Sequence, residues 1–422
     1  MLNPPVVIAG AGIAGLAAAL ALHRVGLQPL VLERAPEMRE QGSAIALWAN
    51  AWRALDALGV GAELRAVNPL LLDRFELARS DGRLLRGFDL SQCDAAAGGG
   101  EAAEFRGVRR GALLEALLAA LPSGCVRFGC GVEAVEGDAQ RGPGANPVVR
   151  LTDGSFQECC VLIGADGVGS AVARHVGLAA PTYAGYAAYR GVALIPPGKR
   201  LPLPASTVRQ LWGAGVRAGM YPLSESEVYW FTCFNAPEDA PVPATPEAQL
   251  QDALSIVQGW RGGIEEVIRR TPPETLSRSR IRDRWTLGAF GRGRVTLAGD
   301  AAHPMTPNLG QGGCAALEDA VVLARELRQA ADAAGGGSGS SGGSSSSSSS
   351  SSKADAWEAA LRRYEAERWR RCLPLTVRSW AFGFALQLPY PPVTAVRDVF
   401  VEKAFSPAHF LDHTAYDVGV LV

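Results

Sequence analysis

A chain of 422 residues, 48% hydrophobic and 20% charged with a formal net charge of −1, can bury a large core and has the balance of a globular protein. It shows no basic excess and no aromatic-basic interleaving, so nucleic acid is not an expected partner. No uninterrupted apolar run approaches transmembrane length.

The first predicted element is the apolar run Val6-Val7-Ile8, a strand that ends in the glycine pattern GAGIAG, Gly10 to Gly15. A small-residue helical stretch follows to near Gly26, and a second apolar run, Pro29 to Leu32, ends in Glu33. Strand, glycine turn, helix, strand and acid form the context of a dinucleotide-binding fingerprint. Gly10 permits the tight turn, Gly12 lets the backbone approach a pyrophosphate, and Gly15 lets helix and strand pack closely. Glu33 falls where a carboxylate accepts hydrogen bonds from an adenosine ribose. The plainer alternative is a βαβ unit whose glycines serve packing alone. Because the pattern starts almost at Met1, no secretory signal is expected, and the compartment reads as cytoplasmic, or an organelle if a transit peptide is missing. Eight cysteines without CxxC spacing fit a reduced compartment, and five scattered histidines predict no metal site.

Further along, Val161-Leu162-Ile163 runs into Gly164-Ala165-Asp166-Gly167, a second strand end carrying an acid. Residues 180–287 are expected to carry the substrate. Val208 to Trp212, Gly215 to Pro222 and Val228 to Phe234 read as strands, with a hairpin turn at Ser224-Glu225-Ser226. Side chains alternate along a strand, so Arg217, Tyr221, Tyr229 and Phe231 share one face, with Tyr221 opposite Tyr229. Arg217 suits a carboxylate or phenolate, and Tyr229 suits holding or relaying a hydroxyl proton. A solvated arginine and a core tyrosine is the competing reading. Tyr189 and Arg190 form a weaker pair of the same kind.

Val295 to Ala298 predicts a third strand, with Asp300 at its carboxyl end, where ligands of open α/β sheets bind. A Pro-rich loop leads to Gly310-Gln311-Gly312-Gly313, which opens a helix running from Cys314 to Ala331. Its free N–H groups and partial positive charge suit an electron-rich ring or an anion. His303, inside the loop, is expected to tie the loop to nearby backbone rather than touch a ligand. The Gly/Ser tract from Gly335 to Ser352 reads as a flexible linker to a helical stretch, Trp357 to Cys372.

Together, GAGIAG, the Asp166-Gly167 pair and the run LAGDAAHPMTPNLGQGGCAALEDAVVLAREL resemble the single-component FAD-dependent aromatic monooxygenases, of the salicylate-hydroxylase and zeaxanthin-epoxidase kind. The resemblance covers roughly residues 5 to 330 and is strongest to plant and algal members. It implies a fold of α/β class: a Rossmann-like FAD-binding domain interlocked with a substrate domain on a mixed or antiparallel sheet, followed by C-terminal helices. The expected domains are 1–180 with 285–334 for FAD and 181–284 for substrate, part of 68–106 joining the latter. A linker (335–352) and a helical region (353–422) complete the chain.

The resemblance also implies noncovalent FAD. Its ADP half falls to Gly10, Gly12, Ala14, Gly15, Glu33 and Arg34, with Arg110 as a further contact opening the run RGALL. Asp166 and Gly167 are associated with FAD and with a transient nicotinamide cofactor. Asp300 would hold the ribityl chain, and Pro307, Gly310, Gln311, Gly312 and Gly313 would lie beside the isoalloxazine. FAD-dependent urate hydroxylases carry an arginine and a tyrosine in active-site roles at the spacing of Arg217 and Tyr229. Two departures stand out: Arg109 replaces a histidine common in relatives, and the usual arginine after Ser170 is displaced, Ala173 standing there and Arg174 next.

The implied activity is NAD(P)H- and O2-dependent hydroxylation of a small aromatic or phenolic substrate through a flavin hydroperoxide, the protein supplying orientation and water exclusion. With a single fingerprint, NAD(P)H is expected to bind only transiently. Other functions remain open: epoxidation of an isoprenoid alkene, a non-oxygenating flavin oxidase or reductase, or a silent flavin-binding regulator. The WxWxIP pattern of flavin halogenases is absent from the sequence.

Overall fold

The computed structural model describes residues 4–38, 43–90, 104–136, 145–335 and 348–421. The opening unit is β1 (Val6–Ala9), α1 (Ile13–Arg24) and β2 (Pro29–Leu32). Next come β3 (Ala44–Leu47), α2 (Ala49–Ala57), α3 (Gly61–Val67), the hairpin β4 (Arg74–Arg79) and β5 (Leu84–Asp89), then β6 (Arg106–Arg109) and α4 (Arg110–Ala119). A short β7 (Val126–Arg127) precedes the antiparallel β8 (Val132–Glu136), β9 (Val148–Leu151) and β10 (Phe156–Glu158). β11 (Val161–Gly164) and α5 (Ala171–His175) close this half.

The central stretch is β12 (Thr182–Leu194), β13 (Thr207–Trp212), β14 (Val216–Pro222), β15 (Glu227–Asn235), α6 (Pro246–Ile256), α7 (Ile264–Arg269) and β16 (Ser277–Asp283). The chain then returns through β17 (Val295–Leu297) into α8 (Gly312–Gly335), α9 (Ser348–Gln387), α10 (Pro391–Ala404) and α11 (Pro407–Leu411). Residues 336–347 of the Gly/Ser tract lie outside the described residues, and α9 begins at Ser348, earlier than the Trp357 read from the sequence.

Two sheets organise the molecule. The first is parallel, in the order β17-β11-β1-β2-β7, so the three acid-bearing strand ends lie on one edge of the sheet, with β1 and its glycine turn between those of β11 and β2. Its strands β1, β11 and β17 are fully buried, and α1, with every residue from Ile13 to Leu22 buried, packs between one face of the sheet and α8. The second sheet is mixed, in the order β16-β12-β15-β14-β13-β4-β5, with β13 running parallel to β4. The 74–89 hairpin thus joins this sheet through β4, which pairs with β13. This is a Rossmann-like unit interlocked with a substrate sheet, followed by C-terminal helices.

Alternation gives the second sheet two chemically different faces. One carries Tyr189, Met220, Trp230 and Phe234 into an apolar core covered by α6 and α7. The other carries Tyr186, Arg190, Arg217, Tyr229 and Phe231 toward the first unit. Among the described residues no helix is long and apolar enough to cross a membrane.

Candidate active site

At the carboxyl ends of β1, β2 and β11, the glycine turn opens a groove of about 430 Å³ lined by Gly10, Gly12, Glu33, Arg34, Arg110, Asp166 and Gly167. Gly10 sits at φ +98°, and a Cβ there would lie 2.7 Å from the Ala165 carbonyl oxygen. Gly15 is needed for packing, since its Cβ would come within 1.9 Å of the Gly10 oxygen. Ala14 is buried and packs toward Gly299, whereas nothing lies within 4 Å of where a Gly12 Cβ would be. Bare backbone thus faces the groove.

Glu33 is bonded to the turn itself. Its Oε2 accepts the Ala11 N–H at 2.8 Å and its Oε1 the Ala35 N–H at 2.8 Å, so the carboxylate braces the glycine turn. Asp166 Oδ2 accepts the Ala171 N–H at 2.7 Å at the start of α5, while its buried Oδ1 is unpartnered on the groove wall. An unused acceptor beside bare backbone N–H groups fits the hydroxyls and phosphates of a dinucleotide. Arg174 lines the same groove, its Nη1 bound to the Gly169 carbonyl at 2.8 Å, so the one-residue displacement keeps an arginine at the motif.

The loop after β17 forms the other end of the site. Asp300 is accessible yet closely surrounded: desolvation raises its pKa, against the lowering pull of His303, Arg110 and Arg190. A carboxylate both accessible and desolvated faces an internal cleft rather than the outer surface. Gly310 adopts φ +63°, and Gly313 leaves room for Ile45, whose Cδ1 would lie 2.3 Å from an added Cβ. Gln311 Oε1 accepts Asn50 Nδ2 at 2.8 Å, and Trp48 Nε1 is buried without a partner near Gly310.

His303 does not use its ring to tie the loop to backbone, as expected from the sequence. Its Nε2 lies 2.7 Å from Asp319 Oδ2, a carboxylate that α8 carries beneath the loop. Burial opposes a charged imidazole, yet Asp319, with Cys372, raises its pKa well above the ordinary value. Asp319 also accepts the Gly299 N–H at 2.7 Å and Arg368 Nε at 2.7 Å. Arg368, fully buried, binds Glu318 at 2.7 Å as well, and Glu318 accepts Asn50 Nδ2 at 2.6 Å. His303, Asp319 and Cys372 bring ligand-type atoms within 4.8 Å of one another, but Arg368 on the same carboxylate makes this an ion-pair network. No motif spacing signals that network, because Arg368 lies far along the chain on α9.

The hairpin register is the predicted one: Tyr221 faces Tyr229, with ring centroids 4.9 Å apart, and Arg217 pairs with Cys233. Gly219, opposite Phe231, leaves room for that ring, which lies 5.9 Å from the Arg217 guanidinium carbon. Arg217 is only 2% exposed and is not a free anion hook. It donates to the side-chain oxygen of Asn308 in the loop, leaving Nε unpartnered. Tyr189 and Arg190 cannot act as a pair, because neighbours on a strand point to opposite faces. Tyr189 turns to the apolar side and donates to Asp252 at 2.7 Å. Arg190 turns to the site, donates to Ser279 Oγ at 2.6 Å, and lies among Tyr229, Tyr221, Asp300 and Arg110. Burial pushes the Tyr229 hydroxyl up to about 12, with Arg190 pulling the other way.

A family model described as an FAD binding domain matches residues 3–340. Monooxygenase 2 of Arabidopsis thaliana is 32% identical over 424 residues, covering 100% of this chain and 98% of the relative. An FAD-dependent urate hydroxylase of Klebsiella pneumoniae subsp. pneumoniae is 32% identical over 376 residues, covering 88% of each chain. The crystal structure of Klebsiella pneumoniae HpxO complexed with FAD and uric acid matches with a TM-score of 0.79 at 27% identity, over 98% of this chain and 96% of that one. With the glycine groove, the strand-end acids and the polar sheet face already in place, these likenesses make the chain a member of the FAD-dependent aromatic monooxygenase family.

Proposed function

We propose that the protein hydroxylates a small aromatic or phenolic substrate, using noncovalently bound FAD, O2 and NAD(P)H as a transient cosubstrate. The observation that carries this reading is Arg190, on the polar face of the substrate sheet and within electrostatic reach of both the Tyr229 hydroxyl and Asp300 at the cofactor-side strand end. A ring placed there meets a cation and a phenol on one side and the loop on the other. Relatives named for urate and for 3-amino-4-hydroxybenzoate support a hydroxylated or heteroaromatic ring.

In this reading Gly10, Gly12, Glu33, Arg34, Arg110, Asp166 and Gly167 hold the ADP half of FAD. Asp300 takes the ribityl hydroxyls, and Pro307, Gly310, Gln311, Gly312 and Gly313 border the flavin ring. Ala14 and Gly15 act from behind, by packing. When bound, FAD supplies the reduction of O2 and the oxygen transfer. Arg190 attracts an anionic or phenolic oxygen and orients the ring. Tyr229, whose hydroxyl keeps its proton at neutral pH, donates to that oxygen and holds the proton there. Arg217 positions the loop through Asn308, with its Nε–H left unpartnered beside that contact.

The test is a screen of hydroxybenzoates and purines with NADH and NADPH, measuring product beside peroxide. Arg190→Ala should mainly raise KM, as loss of a contact present throughout the reaction does. Tyr229→Phe should lower product formation by about 10²–10⁴-fold with flavin content intact. Peroxide without oxygenated product from the parent protein would refute hydroxylation.

A further inference from the structure

Beyond the flavin site, a second cavity of about 450 Å³ lies where the ends of β12 and β15 meet α9. It is walled by Tyr186, Trp380, Phe384 and Tyr390, and none of its lining residues is charged. Trp380 and Phe384 stack with centroids 5.5 Å apart and ring planes 17° from parallel, while Phe384 and Tyr390 are more than half exposed at the rim.

One buried polar atom on this wall has no partner. Gln387, 7% exposed, places Nε2 3.3 Å from the Gly215 carbonyl and 3.1 Å from Asn235 Oδ1. A carbonyl only accepts, so the amide orientation is settled and Oε1 is left as an unused acceptor. An acceptor buried without a donor is costly, and a bound N–H or O–H would relieve it.

The cavity borders the loop after β17, and Asn308 of that loop stands between it and Arg217. Thr306 lines it, while Asn308 bonds Tyr186 at 3.2 Å and the Ser379 carbonyl at 2.6 Å and also holds Arg217. Gly383 lets α9 press on this partition, since its Cβ would lie 2.0 Å from Asn308 Nδ2.

We infer that this cavity is a second ligand site, taking an uncharged planar ring that carries an N–H or O–H donor. Charged ligands are disfavoured because no lining residue offers a counter-charge. The ring packs among the aromatic walls and its donor reaches Gln387 Oε1. Such a ring comes either from an organic molecule or from a nicotinamide cosubstrate. The absence of any cation for phosphates points to the organic molecule.

Indole tests the site with the full-length flavoprotein by equilibrium dialysis, since it has a ring and an N–H but no phenolic group for the flavin face. N-methylindole is the comparison, identical but for the donor. Indole should bind at least tenfold tighter than N-methylindole, and Gln387→Leu should erase the difference. Phe384→Ala, at an exposed rim position that folding does not need, should weaken indole severalfold with flavin content unchanged. Arg190→Ala, on the flavin face, should leave indole binding as it is. No indole binding, equal binding of the two indoles, or indifference to both pocket variants would overturn the site. Displacement of indole by NAD+ or NADP+ would overturn its assignment to an organic molecule. None of these readouts depends on turnover, so a failed hydroxylase assay leaves them untouched.

Discussion

The two ends of the candidate site are built by opposite means. At the glycine groove, backbone does the work: Gly10, Gly12 and Gly15 clear space, and Glu33 braces the turn from the next strand. At the loop after β17, buried side chains do it: Asn50 from α2, Glu318 and Asp319 from α8, and Arg368 from α9 hold Gly299, His303 and Gln311. The glycine turn at the first end is braced within residues 10 to 35 by one carboxylate, Glu33, whereas the loop at the second needs a buried cation shared by two carboxylates. Local construction tolerates change elsewhere in the chain, while the ion network ties the loop to the C-terminal helix.

The sharpest way to break this contrast is Arg368→Leu. It leaves Glu318 and Asp319 buried with one cation fewer, and losing one partner of a buried pair costs about 3–5 kcal/mol. Denaturant unfolding should show that loss together with released flavin. Unchanged stability would mean that the loop is held by packing alone.

At the groove, Glu33→Ala should cost roughly 1.5–3 kcal/mol of FAD binding, about ten- to a hundredfold in affinity, measured by flavin titration of apoprotein. Part of the loss comes from the freed Ala11 N–H rather than from a ligand contact. Glu33→Gln keeps an acceptor for that N–H and should recover part of the affinity. Affinity unchanged in both variants would leave Glu33 a brace for the turn with no part in FAD binding.

Acid should separate the ends more gently. His413 is buried with neither ring nitrogen hydrogen-bonded, its edge near the Trp48 ring at 6.4 Å, and desolvation first, then Arg378 and Arg371, lower its pKa to about 4. Folding therefore favours the neutral ring. The stability it contributes is complete above its ordinary value of 6.5 and declines as pH falls toward about 4. Between pH 7 and pH 5 the loss should be about 2 kcal/mol by denaturant unfolding. His413→Leu should flatten that window, and an unaltered slope would clear His413. The His303–Asp319 pair behaves differently. The raised His303 pKa contributes below 6.5 and fades only as pH rises through its folded value. Asp319, lowered to about 2 by His303 and Arg368 against desolvation, contributes above its ordinary 3.8 and fades only as pH falls through about 2.

Much of the substrate sheet was legible too. Period-two alternation and the turn at Ser224-Glu225-Ser226 were enough to place Tyr221 opposite Tyr229 and to set Arg217 on their face. What alternation could not show is what stands above that face. Arg217 reads as an open hook until Asn308 comes down on it, and Arg190 reads as half of a weak pair until Asp300 and Tyr229 flank it.

By itself the sequence determined the glycine turn, the acid-tipped parallel strands, the hairpin register and the family, because these depend on backbone conformation, strand periodicity and neighbours within a few tens of residues. Tertiary structure alone decided the partners of Arg217, Arg190, His303 and Arg368, and the uncharged cavity beside Gln387. Those contacts join residues up to 172 positions apart, as between Gly215 and Gln387, and no local pattern encodes which buried charge will meet which. The cost of leaving such a charge or donor unpaired selects the partner only once the core has closed around it.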